Sequence, residues 1–328
     1  MSMEVRRVQR LGSSSLVITL PKEWTRRLGI KPGDQILLYD EGSELRISPL
    51  EKKTESGVYL DLTRIEPQLA SYIITCIYLS GFDTATVKMP RTDSDLVEEL
   101  RFRSQRFMGA EVYEIRDGEI KVDILLDMSK VDLSRLFKIM SNNISKITRI
   151  LINKFQNRES PDDLKQAEFL RADFMRTLYL AMRYIGSRKL AEPGKTGSSL
   201  LSIQTAIASN YMGLLVDLLY DILVGLSDTI EKTSDNEKKQ IVTVLKGIEE
   251  AGSLTLRLIA SPSTKRTTEL QEIVEKVDKR LKTLIKHAET PAGGILLGRL
   301  QDAARLLSII TNVITCRTIL YVAIKHKE

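Results

Sequence analysis

A change in hydrophobic pattern near residue 131 is the feature that most constrains this fold. Before it, apolar residues occur in short runs separated by glycine, proline and serine, which is typical of β-strands joined by tight turns. After it, apolar residues recur at helical spacing over stretches far longer than a strand. We therefore predict a multidomain protein with a small β domain, a small α+β middle domain and an all-α C-terminal region.

The C-terminal region, residues 131–328, is predicted to contain six amphipathic helices. Loops that contain proline or glycine separate several of them. Two sets of three helices are typical of a duplicated three-helix bundle, here at residues 131–230 and 231–328. Aromatic residues make up only 5% of the chain, which fits bundles packed through Leu and Ile. The predicted helices are Leu133–Phe155, Pro161–Arg188, Thr196–Ile230, Asp235–Ala260, Thr267–Ala288 and Gly294–Lys325.

Residues 1–52 are predicted to form two short hairpins around one short helix. The first hairpin joins the apolar runs Val5–Leu11 and Leu16–Leu20. The helix follows, with Pro21 at its first position and Gly29 at its C-terminal cap. A domain of this size buries too little apolar surface to be stable alone, so we expect it to be an obligate dimer.

Residues 53–130 alternate strand and helix patterns in the order βαβαββ, which predicts the small α+β domain. Its helices are expected at Pro67–Ser80, closed by Gly81, and at Asp93–Phe107, capped by Gly109. The segment contains 10 basic and 14 acidic residues. This negative balance makes it a poor candidate for a nucleic-acid surface.

Charge is distributed unevenly within the first fifty residues. Residues 1–31 contain seven basic and two acidic residues, whereas residues 32–52 contain two basic and five acidic residues. A basic N-terminus favours an anionic partner. A solvated basic strand and an exposed charged helix remain the alternatives. The candidate residues for binding such a partner are Arg6, Arg7, Arg10, Ser13, Ser14, Lys22 and Arg26.

The N-terminal residues resemble the SpoVT/AbrB family of swapped-hairpin DNA-binding domains. The resemblance covers residues 4–49 and rests on three ordered segments: Val8–Ser14, Ile18–Trp24 and Leu28–Asp34. It implies a two-fold dimer that binds duplex DNA. On a β-strand, Arg6 and Arg10 would share a face while Arg7 points the other way. The dimer would then present two paired sets of arginines to phosphates and base edges.

The helical region resembles PhoU, a phosphate-uptake regulator built of two three-helix bundles. Together with the segment from Gly81 to Val112, it makes the whole chain similar to archaeal AbrB–PhoU fusions. PhoU bundles bind divalent or ferric metal through Glu-x-x-x-Asp motifs. Here Asp217 and Asp302 occupy the Asp positions, but Gly213 and Gly298 replace the glutamates.

The sequence therefore allows a metal site in the helical region, as one of two interpretations of these carboxylates, and it predicts no specific cofactor. A hard cation needs several converging oxygen ligands. Any ion held by Asp217 and Asp302 would need carboxylates from the second helix of each bundle, of which Glu275 and Asp278 are three residues apart and form the best pair. The alternative is that these carboxylates pair with Lys or Arg side chains of neighbouring helices.

Several other classes of protein are disfavoured. Two histidines are too few for a His-rich zinc site, and no Ser-His-Asp or Cys-His set can be assembled, so we expect no enzyme. Cys76 and Cys316 lie in apolar runs and are expected to be buried free thiols. Leu306–Ile324 is apolar but contains Arg317, which favours a buried helix over membrane insertion. With a basic N-terminus and no signal peptide, the protein is expected to be cytoplasmic.

These features lead to one preferred function and two alternatives. The preferred function is a DNA-binding transcriptional regulator of phosphate uptake, whose helical region senses a signal or docks on a partner. The first alternative is an adaptor that docks on a phosphate transporter ATPase or a signalling kinase and uses residues 1–52 only to dimerise. The second is an architectural DNA-binding protein. A homodimer or a higher homo-oligomer is expected in each case.

Overall fold

The structure, a computed structural model, describes residues 5–12, 14–40, 45–49, 57–89, 94–116, 118–186 and 198–325. These residues form two compact units. The described residues up to 49 belong to the N-terminal unit, and those from 57 onward belong to the C-terminal unit. The chain thus combines a small β-containing N-terminal unit with a mostly helical remainder.

The N-terminal unit contains two hairpins and one helix, as predicted. Strands β1 (Gln9–Leu11) and β2 (Ser15–Val17) pair antiparallel, and so do β3 (Ile36–Asp40) and β4 (Leu45–Pro49). Helix α1 spans Lys22–Arg27.

Two details of the N-terminal prediction are wrong. The predicted strand Val5–Leu11 is paired only from Gln9, because its partner strand ends at Val17, opposite Gln9. Pro21 precedes the helix as its N-cap, with extended backbone angles, and is not its first residue. Its missing amide is harmless at that position, because the first amides of a helix have no intrahelical acceptor.

The C-terminal unit begins with a four-stranded sheet. Its strands are Gly57–Asp61 (β5), Thr84–Lys88 (β6), Ala110–Arg116 (β7) and Glu119–Ile124 (β8), and their order in the sheet is β5-β6-β8-β7. Strands β5 and β6 are parallel, and the other neighbouring pairs are antiparallel. Apolar side chains of β6 and β8 alternate with partly exposed polar ones and pack on the helices at Ile73–Leu79 and Ser94–Ser104.

The helix predicted over Pro67–Ser80 is interrupted in the structure. It forms two pieces, α2 (Pro67–Ala70) and α3 (Ile73–Leu79). The amide of Tyr72 donates to the carbonyl of Leu69, three residues back, and this tighter turn ends α2. Helix α4 spans Ser94–Ser104 and is shorter than predicted.

Long helices make up the rest of the C-terminal unit, joined to the sheet by a 3₁₀ turn at Met128–Lys130. The helices are Leu133–Phe155 (α5), Asp163–Gly186 (α6), Ser198–Gly225 (α7), Ser227–Glu231 (α8), Asp235–Ala260 (α9), Thr264–Lys286 (α10) and Pro291–Lys325 (α11). All the long ones contribute to one continuous hydrophobic core. Helix α5 packs on α6, α7 and α9, and α11 packs on α7, α9 and α10. The division into two separate bundles therefore stays a prediction.

A buried arginine joins α6 to the sheet. The Arg183 side chain is fully buried, and its guanidinium donates to the Tyr78 carbonyl at 3.0 Å and pairs with Asp83 at 2.9 Å. Burial lowers the pKa of Arg183, and the charge of Asp83 opposes that effect. Gly186 brings the end of α6 against α3, since a Cβ at this position would lie 2.5 Å from the Leu79 carbonyl oxygen. The sheet and the helices are thus packed directly on each other.

A buried glutamate organises the start of two helices. Glu237 forms a capping box with Ser234 at the beginning of α9. Its carboxylate also accepts from the Glu289 amide at 2.8 Å and from the Thr290 hydroxyl at 2.7 Å, just before α11. Burial alone would raise the pKa of Glu237, but these hydrogen bonds outweigh burial and hold it below its ordinary value.

Two expectations about apolar segments need correction. Cys76 and Cys316 are free thiols, as predicted, but both are exposed because they lie on the outer faces of α3 and α11. Within the described residues, two helices, rather than one, are long and apolar enough to cross a membrane by length and composition alone. They are Leu200–Gly225 and Pro291–Ala323, and 50% and 28% of their most apolar stretches are buried in the protein.

Replacing Gly293 tests the Glu237 network. A Cβ at this position would collide with the Glu237 carboxylate, so the loop before α11 would have to move and break its hydrogen bonds. We expect Gly293→Ala to lower the free energy of unfolding by about 1–3 kcal/mol. Gly298→Ala is the matched control on the same helix, because a Cβ there meets no atom within 4 Å. Thermal unfolding measures both, and equal Tm values for the two variants would contradict the prediction.

Candidate nucleic-acid interface

The β1–β2 hairpin presents the first basic side chains. Gly12, with φ of +68°, provides the left-handed conformation that the turn requires. Arg10 lies opposite Leu16 in the ladder, so their side chains share one face of the hairpin. Arg6 and Arg7 precede the paired part of β1, and all three arginines are exposed. The alternation predicted for Arg6, Arg7 and Arg10 on one strand stays a prediction, because Arg6 and Arg7 lie outside the paired part of the strand.

Helix α1 holds the second set of basic side chains. Lys22 and Arg26 are one turn apart and exposed, so they lie on the same face. The helix ends in a Schellman motif, in which the Gly29 amide donates to the Arg26 carbonyl and the Ile30 amide to the Thr25 carbonyl at 2.9 Å. Gly29 makes this motif possible with φ of +65°.

The predicted DNA-binding residues thus lie on two local elements of one unit. Ser14 is exposed in the hairpin turn, and Ser13 lies outside the described residues. Arg27 is also exposed, in the last turn of α1. It contributes to the positive charge of residues 1–31 but was not among the predicted DNA-binding residues. Basic residues in the last turn also interact favourably with the helix dipole, which is their structural role whatever the partner.

The N-terminal unit leaves its apolar side chains accessible. No side chain that the structure describes in this unit is buried, including those of α1. Leu16 is 70% exposed, Leu38 58% and Leu45 57%. Exposed apolar side chains of this kind are typical of surfaces that bind a partner.

The candidate metal residues are each paired with a cation. Asp217 accepts from Arg171 of α6 at 2.6 Å, and the Arg171 guanidinium also stacks on Tyr220. Asp302 lies 3.5 Å from Arg305, one turn along α11. Asp217 is therefore paired with an arginine of a neighbouring helix, which is the alternative to a metal site that the sequence allowed.

The two α10 candidates form pairs within their own helix. Glu275 pairs with Lys279 and Asp278 with Lys282, each at 2.6 Å. The Lys279 ammonium lowers the pKa of Glu275. Over the described ranges, no three His, Cys, Asp or Glu side chains converge as metal ligands would. The structure does not bring Asp302 together with Glu275 and Asp278 into one cluster, and the metal site stays a prediction.

The glycine at the first lost ligand position has a packing role. A Cβ on Gly213 would lie 2.7 Å from the Leu178 side chain and within van der Waals range of Met175, so the glycine lets α7 approach α6 closely. Gly298, its counterpart in the second half of the helical region, has open space around it. The two positions are therefore not equivalent in the structure.

One family model matches the chain. It is the antidote-toxin recognition MazE, bacterial antitoxin family, and it covers residues 9–55. The match supports an N-terminal swapped-hairpin domain of the AbrB/MazE type, a kind of domain that binds DNA and dimerises. No curated protein and no solved structure matches the chain.

Restoring the missing glutamates tests the packing of α6 and α7. We expect Gly213→Glu to destabilise the protein by about 3 kcal/mol or more, because it forces a charged side chain between two packed helices. Gly298→Glu should change the free energy of unfolding by less than about 0.5 kcal/mol, as at an ordinary surface position. Chemical denaturation of both variants measures this difference. A Gly213→Glu protein as stable as Gly298→Glu would show that the helices are not closely packed at that position.

Proposed function

We propose that this protein is a DNA-binding transcriptional regulator whose N-terminal unit dimerises on duplex DNA. The observation that supports this most is the combination, within residues 5–49, of exposed basic side chains with a match to an AbrB/MazE-type domain. The exposed leucines of the two hairpins would form the core of the dimer. A two-fold dimer doubles the basic surface and fixes the spacing of its two halves.

The helical region would sense or relay the signal. Its pattern resembles PhoU, and on that basis we propose phosphate uptake as the regulated process. In this proposal the protein is cytoplasmic, does not insert into a membrane and acts by binding rather than by catalysis. Mapping the genomic sites that it occupies, with and without phosphate limitation, tests the process. Occupied sites that have no relation to phosphate-transport genes would refute it.

The matched family also favours a second candidate, an antitoxin-type regulator. The family description refers to recognition of a toxin by its antidote. A regulator of this type would bind DNA through the same unit and a toxin through other residues. Growth inhibition by a neighbouring gene product, relieved by co-expression of this chain, would support the antitoxin function over the phosphate function.

DNA binding should depend on Arg6 and Arg10 and on salt. We expect duplex affinity to fall steeply as salt rises, because bound cations displace condensed counterions. Replacing both arginines by Ala should abolish binding, or reduce the slope of log K against log salt by about 0.9 for each lost phosphate contact. Lys276→Ala with Lys286→Ala removes the same charge from exposed sites of α10 and serves as the control. Fluorescence anisotropy with a labelled duplex measures all three proteins.

The same experiment separates the alternatives. If the protein is an adaptor for a transporter ATPase or kinase, neither double variant changes any interaction with DNA, because there is none to lose. If it is an architectural protein, the arginine variant loses binding, but genomic occupancy of the wild type is broad rather than confined to a few promoters.

DNA binding should also require the apolar surface of the N-terminal unit. Leu38 is 58% exposed and carries no charge that could contact DNA. We expect Leu38→Asp to reduce duplex affinity at least tenfold, because a carboxylate in the dimer core prevents the two-fold arrangement. Gln35→Asp adds the same charge at an exposed neighbouring position and should have a much smaller effect. Equal losses for the two variants would mean that charge, and not dimerisation, explains the result.

A further inference from the structure

The outer face of α7 carries exposed residues spaced alternately by three and four. This line of residues, called the α7 seam, is mostly apolar and has one asparagine within it. It consists of Leu200, Ile203, Ile207, Asn210 and Leu214, all exposed. A 3-4 spacing of apolar residues is the pattern by which one helix packs along another, as in coiled coils. The α7 seam is therefore suited to a helix, and no helix of the described chain covers it.

The outer face of α11 has the same spacing. The α11 seam consists of Arg305, Ile309, Asn312, Cys316 and Ile319, and every one of these residues is exposed. Among the described residues, these are also the two long helices that are apolar enough to cross a membrane, and half or less of the most apolar stretch of each is buried in the protein.

The two seams run side by side on one surface. Helix α7 contacts α6 on one side, at Gly213, and α11 on the other. Helix α11 contacts α10 on its far side, where Thr318 and Thr267 share a hydrogen bond. Both helices pack inward on the common core. Their outer seams are consequently neighbours.

A hydrogen bond sets the relative level of the two helices. The Arg317 guanidinium of α11 donates to the Thr205 hydroxyl of α7 at 3.0 Å. The helices are antiparallel, because α11 begins near Glu237, twelve residues beyond the end of α7, and contacts α8, the short helix that directly follows α7. Because the helices run in opposite directions, a residue five positions after Thr205 lies at the level of the residue five positions before Arg317, to within about one helical turn. Asn210 and Asn312 are therefore at the same level.

We propose that the α7 and α11 seams are a docking surface for a second copy of this chain. A two-fold axis parallel to the helices keeps every residue at its own level and places α7 of one copy against α11 of the other. The register is then imposed by the fold. To within about one helical turn, it places Ile203 opposite Ile319 and Asn210 opposite Asn312 of the second copy. Apolar side chains thus meet apolar side chains, and an amide meets an amide.

The charges on α7 favour a second copy over a lipid or nucleic-acid surface. Between residues 198 and 225 this helix contains Asp217 and Asp221 but no Lys or Arg. Anionic lipid headgroups and phosphate backbones attract basic surfaces, so α7 is unsuited to both. Helix α11 contains Arg299, Arg305, Arg317 and Lys325 against Asp302, so α11 of a second copy complements α7 in charge. This inference does not depend on the proposed DNA-binding function.

Cysteine pairing between two differently tagged full-length chains tests the docking surface and its register. Both chains carry Cys76→Ser and Cys316→Ser to remove the native thiols. One chain also carries Ile203→Cys and the other Ile319→Cys, and the two are co-expressed. Mild oxidation should link the two tags through a disulfide, and neither chain should link to itself. The control pair combines Ile203→Cys with Ile309→Cys, which lie about 15 Å apart along the axis in this register, too far for a disulfide.

The control makes this result independent of the N-terminal dimer. A dimer held only through residues 5–49 would bring the matched and the mismatched pair together equally, because it does not fix the helical register. Linking of the matched pair at several times the yield of the mismatched pair supports the proposal. Equal yields, no linking, linking of Ile203→Cys to itself, or binding of the unmodified chain to lipid vesicles in place of linking would each overturn it.

Discussion

The two units of this protein differ in how they bury their apolar side chains. The C-terminal unit buries them within one chain, because its long helices pack around one continuous core. The N-terminal unit cannot, since its short hairpins and single-turn helix leave every described side chain at least partly accessible. A unit this small gains stability from burial against a second surface. In the proposed dimer, the second copy would supply that surface and also the two-fold arrangement for binding DNA.

The sequence predicts the helices best where caps and apolar spacing agree. Helices α5 and α9 begin and end where predicted, and Asp132 and Ser234 cap their first turns with side-chain hydrogen bonds. Predictions fail where the outcome depends on distant partners. The exposure of Cys316 is one such case, because it depends on which face of α11 packs against the other helices.

The candidate sites show the same division between local and distant information. Lys22 and Arg26 are exposed because they lie on a short helix that Gly29 ends, and both features can be read from the local sequence. The partner of Asp217 could not be named from sequence, because Arg171 lies on another helix and many cations were available. Gly213 differs from Gly298 for a similar reason: only the three-dimensional packing shows that one faces Leu178 and the other faces open space.

The buried guanidinium of Arg183 has a consequence for how the C-terminal unit comes apart. Its hydrogen-bond partners lie on α3 and at the start of β6, while the side chain itself belongs to α6. Separating the sheet from the helices would break both of these contacts and expose to water the apolar surface packed between α3 and α6. Partial opening along this boundary is therefore disfavoured, and the sheet and helices should exchange their slowest amide hydrogens together, as one cooperative unit. A strain applied to the long helices would then be transmitted into the sheet rather than absorbed at a hinge between them.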